Sequence, residues 1–467
     1  MWAARVAVVT AAGALAMSSG SAAEAAPKTF KTGFIDQATF ESPSRDLWLD
    51  RVRSVGGSRI RIAFGWSTIA PTAPPADQAG SAAWSGYRFE IIDAQVRAAV
   101  AKGLVPLLSP SGSPAWASAS DRPKSESFGS WKPDAAAFGQ FMRALAERYS
   151  GGFADPTAPG KTLPRVAQFQ VWNEPNLASF LAPQYEKGKP FAARRFRELV
   201  NAGYAGVKDV QPGATVVAGG LAPYGDPGTK TTRTRPLLFL RQMLCLNSAL
   251  KADCREKTNV DALSIHPYTR NKPSQGAFNK NDITVPDLPR MQKAIAAARS
   301  ARTLGPSRTA LWVTEIHWET SPDPEGISSK TRARYISEAF WRLWRANVPV
   351  AYWYLLRDEP YTAGEKFFAS YQSGLFLRSG RQKSDARAFQ FPLTVTGTGR
   401  RDLNVWFRTP TKGTATVQVR RKGRWTSVEK IRGLALDGVS QVTVRRAGVT
   451  AVRAKAGKAT SYVWTIR

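Results

Sequence analysis

The chain has few of the residues from which metal sites are built. Its 467 residues include two cysteines and two histidines, and only 35 acidic residues stand beside 66 Lys and Arg. Zinc sites and zinc hydrolases need clustered Cys or His, and neither cysteine lies in a C-x-x-C spacing. The sequence therefore argues against a structural zinc site and an H-E-x-x-H enzyme, and we expect no metal and no cofactor.

Long hydrophobic runs are also missing. No apolar stretch reaches the ~18–20 residues that span a bilayer, so we expect no transmembrane segment. Near the N-terminus, Arg5 precedes an apolar stretch over residues 6–17, and small residues lead to Ala23-Glu24-Ala25. This pattern is typical of a signal peptide over residues 1–25, cleaved near Ala25 or Ala26, and predicts a secreted, extracellular protein. An uncleaved interfacial helix is the alternative.

The two cysteines, Cys245 and Cys254, are nine positions apart. In an exported protein such a pair predicts a disulfide bond that closes one local loop. Two buried free thiols are the alternative.

Eight short apolar segments recur along the chain, separated by turn residues and stretches of helical period. The helical patterns cover residues 91–102, 135–149, 192–207, 288–302 and 332–345. Strands that alternate with helices favour parallel pairing, and eight such units predict a closed (β/α)8 TIM barrel over residues 27–382. An open doubly wound sheet is the competitor, but no G-x-G-x-x-G follows the first strand. The predicted strands are residues 30–36, 59–64, 104–109, 166–172, 215–219, 261–266, 311–315 and 350–355.

After residue 382 the helical period disappears, and short β-forming segments alternate with Gly and charged turns. This predicts an accessory domain over residues 383–467, built as a small antiparallel β-sandwich. Residues 391–467 carry 16 basic and 3 acidic side chains, so this part has a net charge of +13 within the chain's +31. The predicted strands are residues 389–395, 404–408, 415–419, 441–444, 449–452 and 462–466.

Two glutamates end buried strands. The fourth predicted strand runs into Trp172-Asn173-Glu174-Pro175-Asn176, and the seventh ends at Glu315. Active sites of TIM barrels lie at the C-terminal ends of the strands, and strands four and seven face each other across the barrel mouth. Two carboxyl groups that share a pocket are driven to different pKa values, which gives a general acid and a nucleophile. The alternative is that each Glu only pairs with an Arg at the rim.

The Trp172–Asn176 segment resembles the acid/base motif of glycoside hydrolase clan A, the retaining (β/α)8 glycosidases. Within the clan the chain is most similar to families 39 and 5, the second of them the cellulase group, and the resemblance covers most of residues 30–390. It implies that Glu174 is the acid/base, that Glu315 is the nucleophile, and that Asn173 binds the sugar 2-hydroxyl.

The resemblance extends to side chains that would support the two carboxylates. His266 and Tyr268 match the clan's His-x-Tyr after the sixth strand, which implies that Tyr268 orients Glu315 and that His266 binds substrate or supports the acid/base. Arg61 on the second strand matches a buried arginine that keeps the nucleophile ionised. Some members carry a histidine after the third strand, whereas this chain has Ser-Pro-Ser-Gly-Ser over residues 109–113.

Fifteen tryptophans are many for this length. Sugar rings present apolar C–H faces that stack on aromatic rings, so we expect sugar platforms at Trp66, Trp116, Trp318 and Trp353. Trp353 also matches the position of the clan's sugar-stacking tryptophan. Ordinary core packing is the alternative.

Together these patterns predict a secreted retaining glycoside hydrolase that cleaves a β-linked poly- or oligosaccharide by double displacement. A non-catalytic carbohydrate-binding envelope protein on a degenerate barrel is the alternative, and a transglycosylase would use the same intermediate. The cationic surface predicts an anionic cell-wall polymer as a partner of the C-terminal domain. No nucleic-acid motif accompanies it, so we expect no nucleic-acid partner. Arg-rich composition without a partner is the alternative.

Overall fold

The structure is a computed structural model that describes residues 26–306, 308–364, 370–397 and 401–466. The predicted signal peptide lies outside the described residues. Eight parallel strands form a closed barrel in which each strand pairs with its sequence neighbours and β1 also pairs with β8, so the predicted fold class is confirmed. The strands are β1 Lys31–Ile35, β2 Arg59–Gly65, β3 Val105–Ser111, β4 Gln168–Val171, β5 Thr215–Ala218, β6 Ala262–Ile265, β7 Ala310–Ile316 and β8 Val350–Tyr354.

The helices surround the barrel, and all five predicted helices are present. The helix over Arg45–Ser54 was not predicted because its buried side chains are confined to Trp48, Leu49 and Val52, too few to set a clear period. The helices are α1 Gln37–Glu41, α2 Arg45–Ser54, α3 Trp66–Ile69, α4 Glu90–Ala101, α5 Ala135–Arg148, α6 Ala192–Val210, α7 Pro236–Met243, α8 Leu288–Ser300, α9 Ser329–Arg345 and α10 Ala386–Gln390. No helix in the described ranges combines the length and apolar character of a membrane span.

Alternation along the strands decides which side chains enter the barrel. A small interior cluster includes Leu107, Val217, Trp312 and Tyr352, whereas residues of the opposite parity, such as Phe169, belong to the large core between strands and helices. Polar side chains near the carboxyl ends of these strands therefore converge on one mouth.

The C-terminal part consists of two antiparallel sheets that share one hydrophobic core, the predicted β-sandwich. A strand predicted from residue 389 is wrong at its start, because α10 continues to Gln390. The strands are β9 Leu393–Gly397, β10 Asp402–Arg408, β11 Gly413–Arg421, β12 Arg424–Leu434, β13 Val439–Arg445 and β14 Ala451–Ala456. The sheet orders are β9-β10-β13 and β12-β11-β14.

Arg408 joins this β-sandwich to the barrel. Its fully buried guanidinium donates to Thr32 Oγ1 on β1 at 2.8 Å, to the carbonyls of Phe389 and Gln390 at 2.8 and 3.0 Å, and pairs with Asp437 at 3.2 Å. Phe389 packs in the barrel's core and Phe391 in the core of the sandwich, so the two cores meet within α10 and the residues after it. The predicted domain boundary at residue 382 stays a prediction.

The predicted disulfide is present between Cys245 and Cys254, with the Cα atoms 5.0 Å apart. It closes the loop that follows α7.

Candidate active site

The carboxylate of Glu315 lies inside the barrel mouth because β7 contains a bulge. Val313 aligns with Ala351 and Ile316 with Trp353, so three steps along β7 match two along β8. One extra residue in a strand re-aims the side chains around it. Accordingly, both Thr314 and Glu315 reach the interior, Thr314 to His266 and Glu315 to Arg61.

Glu315 is held by a cation and a phenol. Arg61 Nη1 on β2 donates to its Oε1 at 2.5 Å, and Tyr268 Oη donates to its Oε2 at 2.7 Å. Burial raises the pKa of this carboxyl, but its electrostatic interactions with His266 and Arg61 and the hydrogen bonds from Tyr268 and Arg61 outweigh burial. The pKa of Glu315 is therefore lower than its ordinary value. This carboxylate is ionised at neutral pH.

Arg61 is itself fixed by neutral acceptors. Its Nε and Nη2 donate to Ser109 Oγ on β3 at 3.3 and 3.1 Å, and Nη2 donates to Asn173 Oδ1 at 2.8 Å. A guanidinium with several donors in use has few orientations open to it. Arg61 thereby links Asn173 to Glu315.

Glu174 reaches the mouth through an unusual turn after β4. Trp172 and Glu174 have φ values of +69° and +38°, in the left-handed region that non-glycine residues seldom adopt. Gln170 Nε2 donates to the Trp172 carbonyl at 2.9 Å, and the Glu174 N–H donates to the Gly220 carbonyl at 3.0 Å. Such backbone costs about 1–3 kcal/mol per residue and persists where the surroundings impose it.

His266 connects the two carboxylates. Its Nδ1 is 2.9 Å from Glu174 Oε1 and 3.6 Å from Glu315 Oε2, and its Nε2 is 3.0 Å from Thr314 Oγ1. With Oε1 of Glu174 as the acceptor, Nδ1 carries the proton of this hydrogen bond, and Oε2 stays free to hold the carboxyl proton. Gly220 leaves room for this ring, because a Cβ there would overlap His266 Nε2.

The separation of the two carboxylates decides what the site can do. One ligand atom each from Glu174, His266 and Glu315 lies within 4.8 Å of the others. Retaining glycosidases place their two carboxyl groups about 5–5.5 Å apart and inverting ones about 6.5–9.5 Å apart. The nearest oxygens of this pair are therefore closer together than the carboxyl groups of inverting enzymes. The same three side chains are also close enough to ligate a metal ion, although Arg61 already neutralises one carboxylate.

The structure places three predicted sugar platforms in the core, and for these the prediction is wrong. Trp66 packs against Phe138 and Phe141, and Trp353 against Phe389, with both rings almost fully buried. A ring without an exposed face cannot stack on a sugar.

Trp318 is buried as well. Its Nε1 donates to the Asn271 carbonyl at 2.9 Å, and its ring packs between Tyr335 and Trp353. Trp116 is half-buried beside a cavity of about 410 Å³ that Lys132 also lines. A platform at Trp116 stays a prediction.

Tyr354, one residue after Trp353, faces the site instead. Its ring lies 5.7 Å from His317 and 4.9 Å from Tyr371, measured between centroids, and burial and the charge of Glu315 raise its pKa above the ordinary value. Because Tyr352 points into the barrel, the two-residue period of β8 places Tyr354 there too. The alternation of side chains along β8 was the sequence signal that could have identified Tyr354.

His317 was not predicted at the site either. It lies between the rings of Tyr268, Tyr354 and Tyr371, and burial lowers its pKa to about 3, so the imidazole is neutral. These rings form an aromatic wall beside Glu315.

The chain matches no protein-family model and no curated protein. Solved structures are similar in fold. A family 39 glycoside hydrolase from the gut symbiont Bacteroides cellulosilyticus WH2 is 17% identical, with a TM-score of 0.54 over 90% of this chain and 81% of that one. A family 39 β-xylosidase from Caulobacter crescentus is 16% identical, with a TM-score of 0.53 over 90% and 97%. A glucosidase from Croceicoccus marinus is 14% identical, with a TM-score of 0.51 over 90% and 96%.

At these identities the comparisons concern the fold. They support the predicted resemblance at that level: over most of its length the chain folds like these glycoside hydrolase structures.

Proposed function

We propose that the protein is a retaining glycoside hydrolase in which Glu174 is the general acid/base and Glu315 the nucleophile. The observation that supports this proposal is the pair of carboxylates within 4.8 Å at the barrel mouth. Each has its own partners: Glu174 contacts His266, and Glu315 contacts Arg61 and Tyr268.

In the first step, a carboxylate oxygen of Glu315 forms a bond to the anomeric carbon while the bond to the leaving oxygen breaks. Glu174 gives its proton to that oxygen, and the product is a glycosyl ester on Glu315. The lowered pKa keeps Glu315 ionised for the attack.

In the second step, Glu174 takes a proton from water as the water oxygen bonds to the anomeric carbon. The ester bond breaks, and Glu315 leaves as a carboxylate. Two inversions give net retention of configuration.

The neighbouring side chains position the reacting groups. Tyr268 and Arg61 hold the two oxygens of Glu315, and His266 fixes Glu174. Asn173 accepts from Arg61 through Oδ1, which directs its amide N–H₂ to the sugar 2-hydroxyl. This bond strengthens in the transition state.

We propose β-linked oligo- or polysaccharides as substrates. Solved structures of similar fold include a β-xylosidase and a glucosidase, so aryl β-xylosides and β-glucosides are the first compounds to test. We also propose export, from the N-terminal signal pattern and the disulfide between Cys245 and Cys254.

Trapping tests the nucleophile. A 2-deoxy-2-fluoroglycoside with an activated leaving group should add one sugar mass, and peptide mapping should place it on Glu315. Glu315→Gln should lower the rate about 10³-fold or more. Glu319→Gln is the matched control, since it removes a half-buried carboxylate four residues further along the chain.

Rescue tests the acid/base. Glu174→Ala should lose about 10²–10⁴-fold in rate on substrates whose leaving group needs a proton. Azide should restore turnover with an activated leaving group and yield a β-glycosyl azide, because azide needs no general base. Near-normal turnover of Glu315→Gln, or an α-azide from Glu174→Ala, would refute the assignment. A sugar panel that gives neither turnover nor trapping would favour a non-catalytic binder.

A further inference from the structure

The sheet formed by β12, β11 and β14 has two unlike faces. Ala415, Val417 and Val419 on β11 are buried in the core of the sandwich, together with their register partners on β14. Alternation along the strands turns the intervening side chains outward. We call this outer surface the basic face; its side chains are half-exposed or exposed and comprise Thr416, Gln418, Arg420, Trp425, Ser427, Lys430, Arg453 and Lys455.

Trp425 is the notable member of the basic face. Trp406 and Trp464 of the same sandwich lie in hydrophobic clusters, whereas Trp425 is half-exposed on the outer side of β12. A half-exposed indole offers a flat apolar ring that a ligand can cover.

Arg453 is held against this indole. Its guanidinium carbon lies 4.1 Å from the centroid of the Trp425 ring, and its Nε donates to Gln418 Oε1 at 2.8 Å. Gln418 in turn donates to Ser427 Oγ at 3.2 Å. These contacts cross all three strands, so the cation is stacked on the aromatic ring in a fixed arrangement.

The charge of the basic face has one sign. Arg420 lies directly opposite Trp425 in the β11–β12 ladder, Lys455 is two positions from Arg453, and Lys430 extends the row on β12. None of the eight side chains of the basic face is acidic. Such a surface is complementary to an anion, and the flat indole adds a surface for the apolar face of a sugar ring.

We propose that the basic face binds a polysaccharide that carries carboxylate groups, with its sugar rings on Trp425 and its carboxylates on Arg420, Arg453 and Lys455. The planar guanidinium fits a carboxylate through two parallel hydrogen bonds. This binding is independent of the proposed hydrolysis, because the basic face and the two barrel carboxylates lie on separate sheets.

The full-length protein can be tested by affinity electrophoresis through gels containing polygalacturonate or neutral hydroxyethyl cellulose. We expect retardation by polygalacturonate alone. Trp425→Ala should weaken it about fivefold or more, since one exposed stack is worth about 1 kcal/mol. Arg420→Ala removes a cation of the basic face that is not itself part of the Trp425–Arg453 contact and should weaken retardation severalfold. Melting temperatures check that each variant is folded.

Two further variants separate specific binding from bulk charge. Lys412→Ala removes one exposed cation of the same sandwich outside the basic face, and Arg446→Ala changes a cavity of about 620 Å³ that Arg401 and Arg445 also line. Both should retain binding within about twofold. If Trp425→Ala and Lys412→Ala lose equal amounts of polygalacturonate binding, the attraction is due to bulk charge. If only Arg446→Ala loses much binding, the site is the cavity beside Arg446. If hydroxyethyl cellulose also retards the protein, the polymer's carboxylates have no role. Each result would overturn the proposal.

A catalytic variant separates this proposal from the proposed function. Glu315→Gln should bind polygalacturonate as the unaltered protein does, and Trp425→Ala should turn over a small chromogenic glycoside at the unaltered rate. Loss of polymer binding in Glu315→Gln would place the polymer in the barrel mouth and would overturn the assignment to the basic face.

Discussion

Replacing Arg61 by Met should move the acid limb of the pH–rate profile to higher pH. The guanidinium lies 2.5 Å from Glu315 Oε1 and is one of the causes that hold the pKa of this carboxyl below its ordinary value, against the opposing effect of burial. An adjacent opposite charge lowers a carboxyl pKa by about 1–3 units. Without Arg61 the pKa of Glu315 should rise by about that amount, because burial still raises this pKa and one of the groups that lower it is gone.

The acid limb should move to higher pH because only the ionised form of Glu315 can act as the nucleophile. Below the new pKa, each pH unit removes about tenfold of the active form, so kcat/KM should fall steeply at low pH. At high pH, Glu315 is ionised in both proteins and the loss should be smaller. The assay is kcat/KM against pH on a chromogenic glycoside, or the rate of fluoroglycoside trapping against pH.

Arg59→Met is the matched control for this prediction. Arg59 lies two residues earlier on β2 and also points into the barrel, but it donates to the amide Oε1 of Gln168 at 2.8 Å. The control should leave the acid limb in place. If Arg61→Met lowers activity equally at every pH, Arg61 has only a structural role and the electrostatic reasoning is wrong.

Two further variants test the surroundings of the carboxylates. Gly220→Ala should lower kcat/KM about 10²-fold, because the added methyl group displaces His266. Gly213→Ala is the control and should leave kcat/KM unchanged, since a Cβ there meets open space. Equal kcat/KM values for the two variants would show that the His266 ring has room to move. Burial raises the pKa of Glu319 to about 7, so the stability that its protonated form contributes is lost as the pH rises through about 7. Glu319→Gln should therefore raise the free energy of unfolding in urea at pH 8 and change it little at pH 5; the opposite order would refute the raised pKa.

The barrel could be predicted because its strands are buried on both sides. Such strands read as continuous apolar segments, so Glu315 stood out as a charge at the end of one. The pairing of Glu174 with His266 depends on the turn after β4, where Trp172 and Glu174 have positive φ. The spacing of apolar residues does not predict that turn. Glu174 was predicted as a site residue from the resemblance of its segment to a known motif.

The errors have physical causes as well. Trp353 and Tyr354 are adjacent on β8, and adjacent side chains on a strand point to opposite sides. The prediction therefore placed Trp353 at the barrel mouth, whereas Trp353 lies in the core and Tyr354 faces the mouth. β12 was not predicted, because its apolar residues recur at every third position instead of alternating. Trp66 shows that aromatic content alone does not distinguish a platform from a core residue.

The junction at Arg408 has a mechanical consequence. Two residues, Phe391 and Pro392, lie between α10 and β9, and the buried guanidinium ties the end of β10 to Thr32 near the amino end of β1. The sandwich also packs along the outside of α9, where Trp464 contacts Arg334, Thr394 donates to the Ser337 carbonyl and Trp406 contacts Trp344. A barrel held in this way cannot swing its mouth relative to the sandwich. A polymer bound on the basic face would therefore meet the barrel mouth only at a fixed distance and orientation.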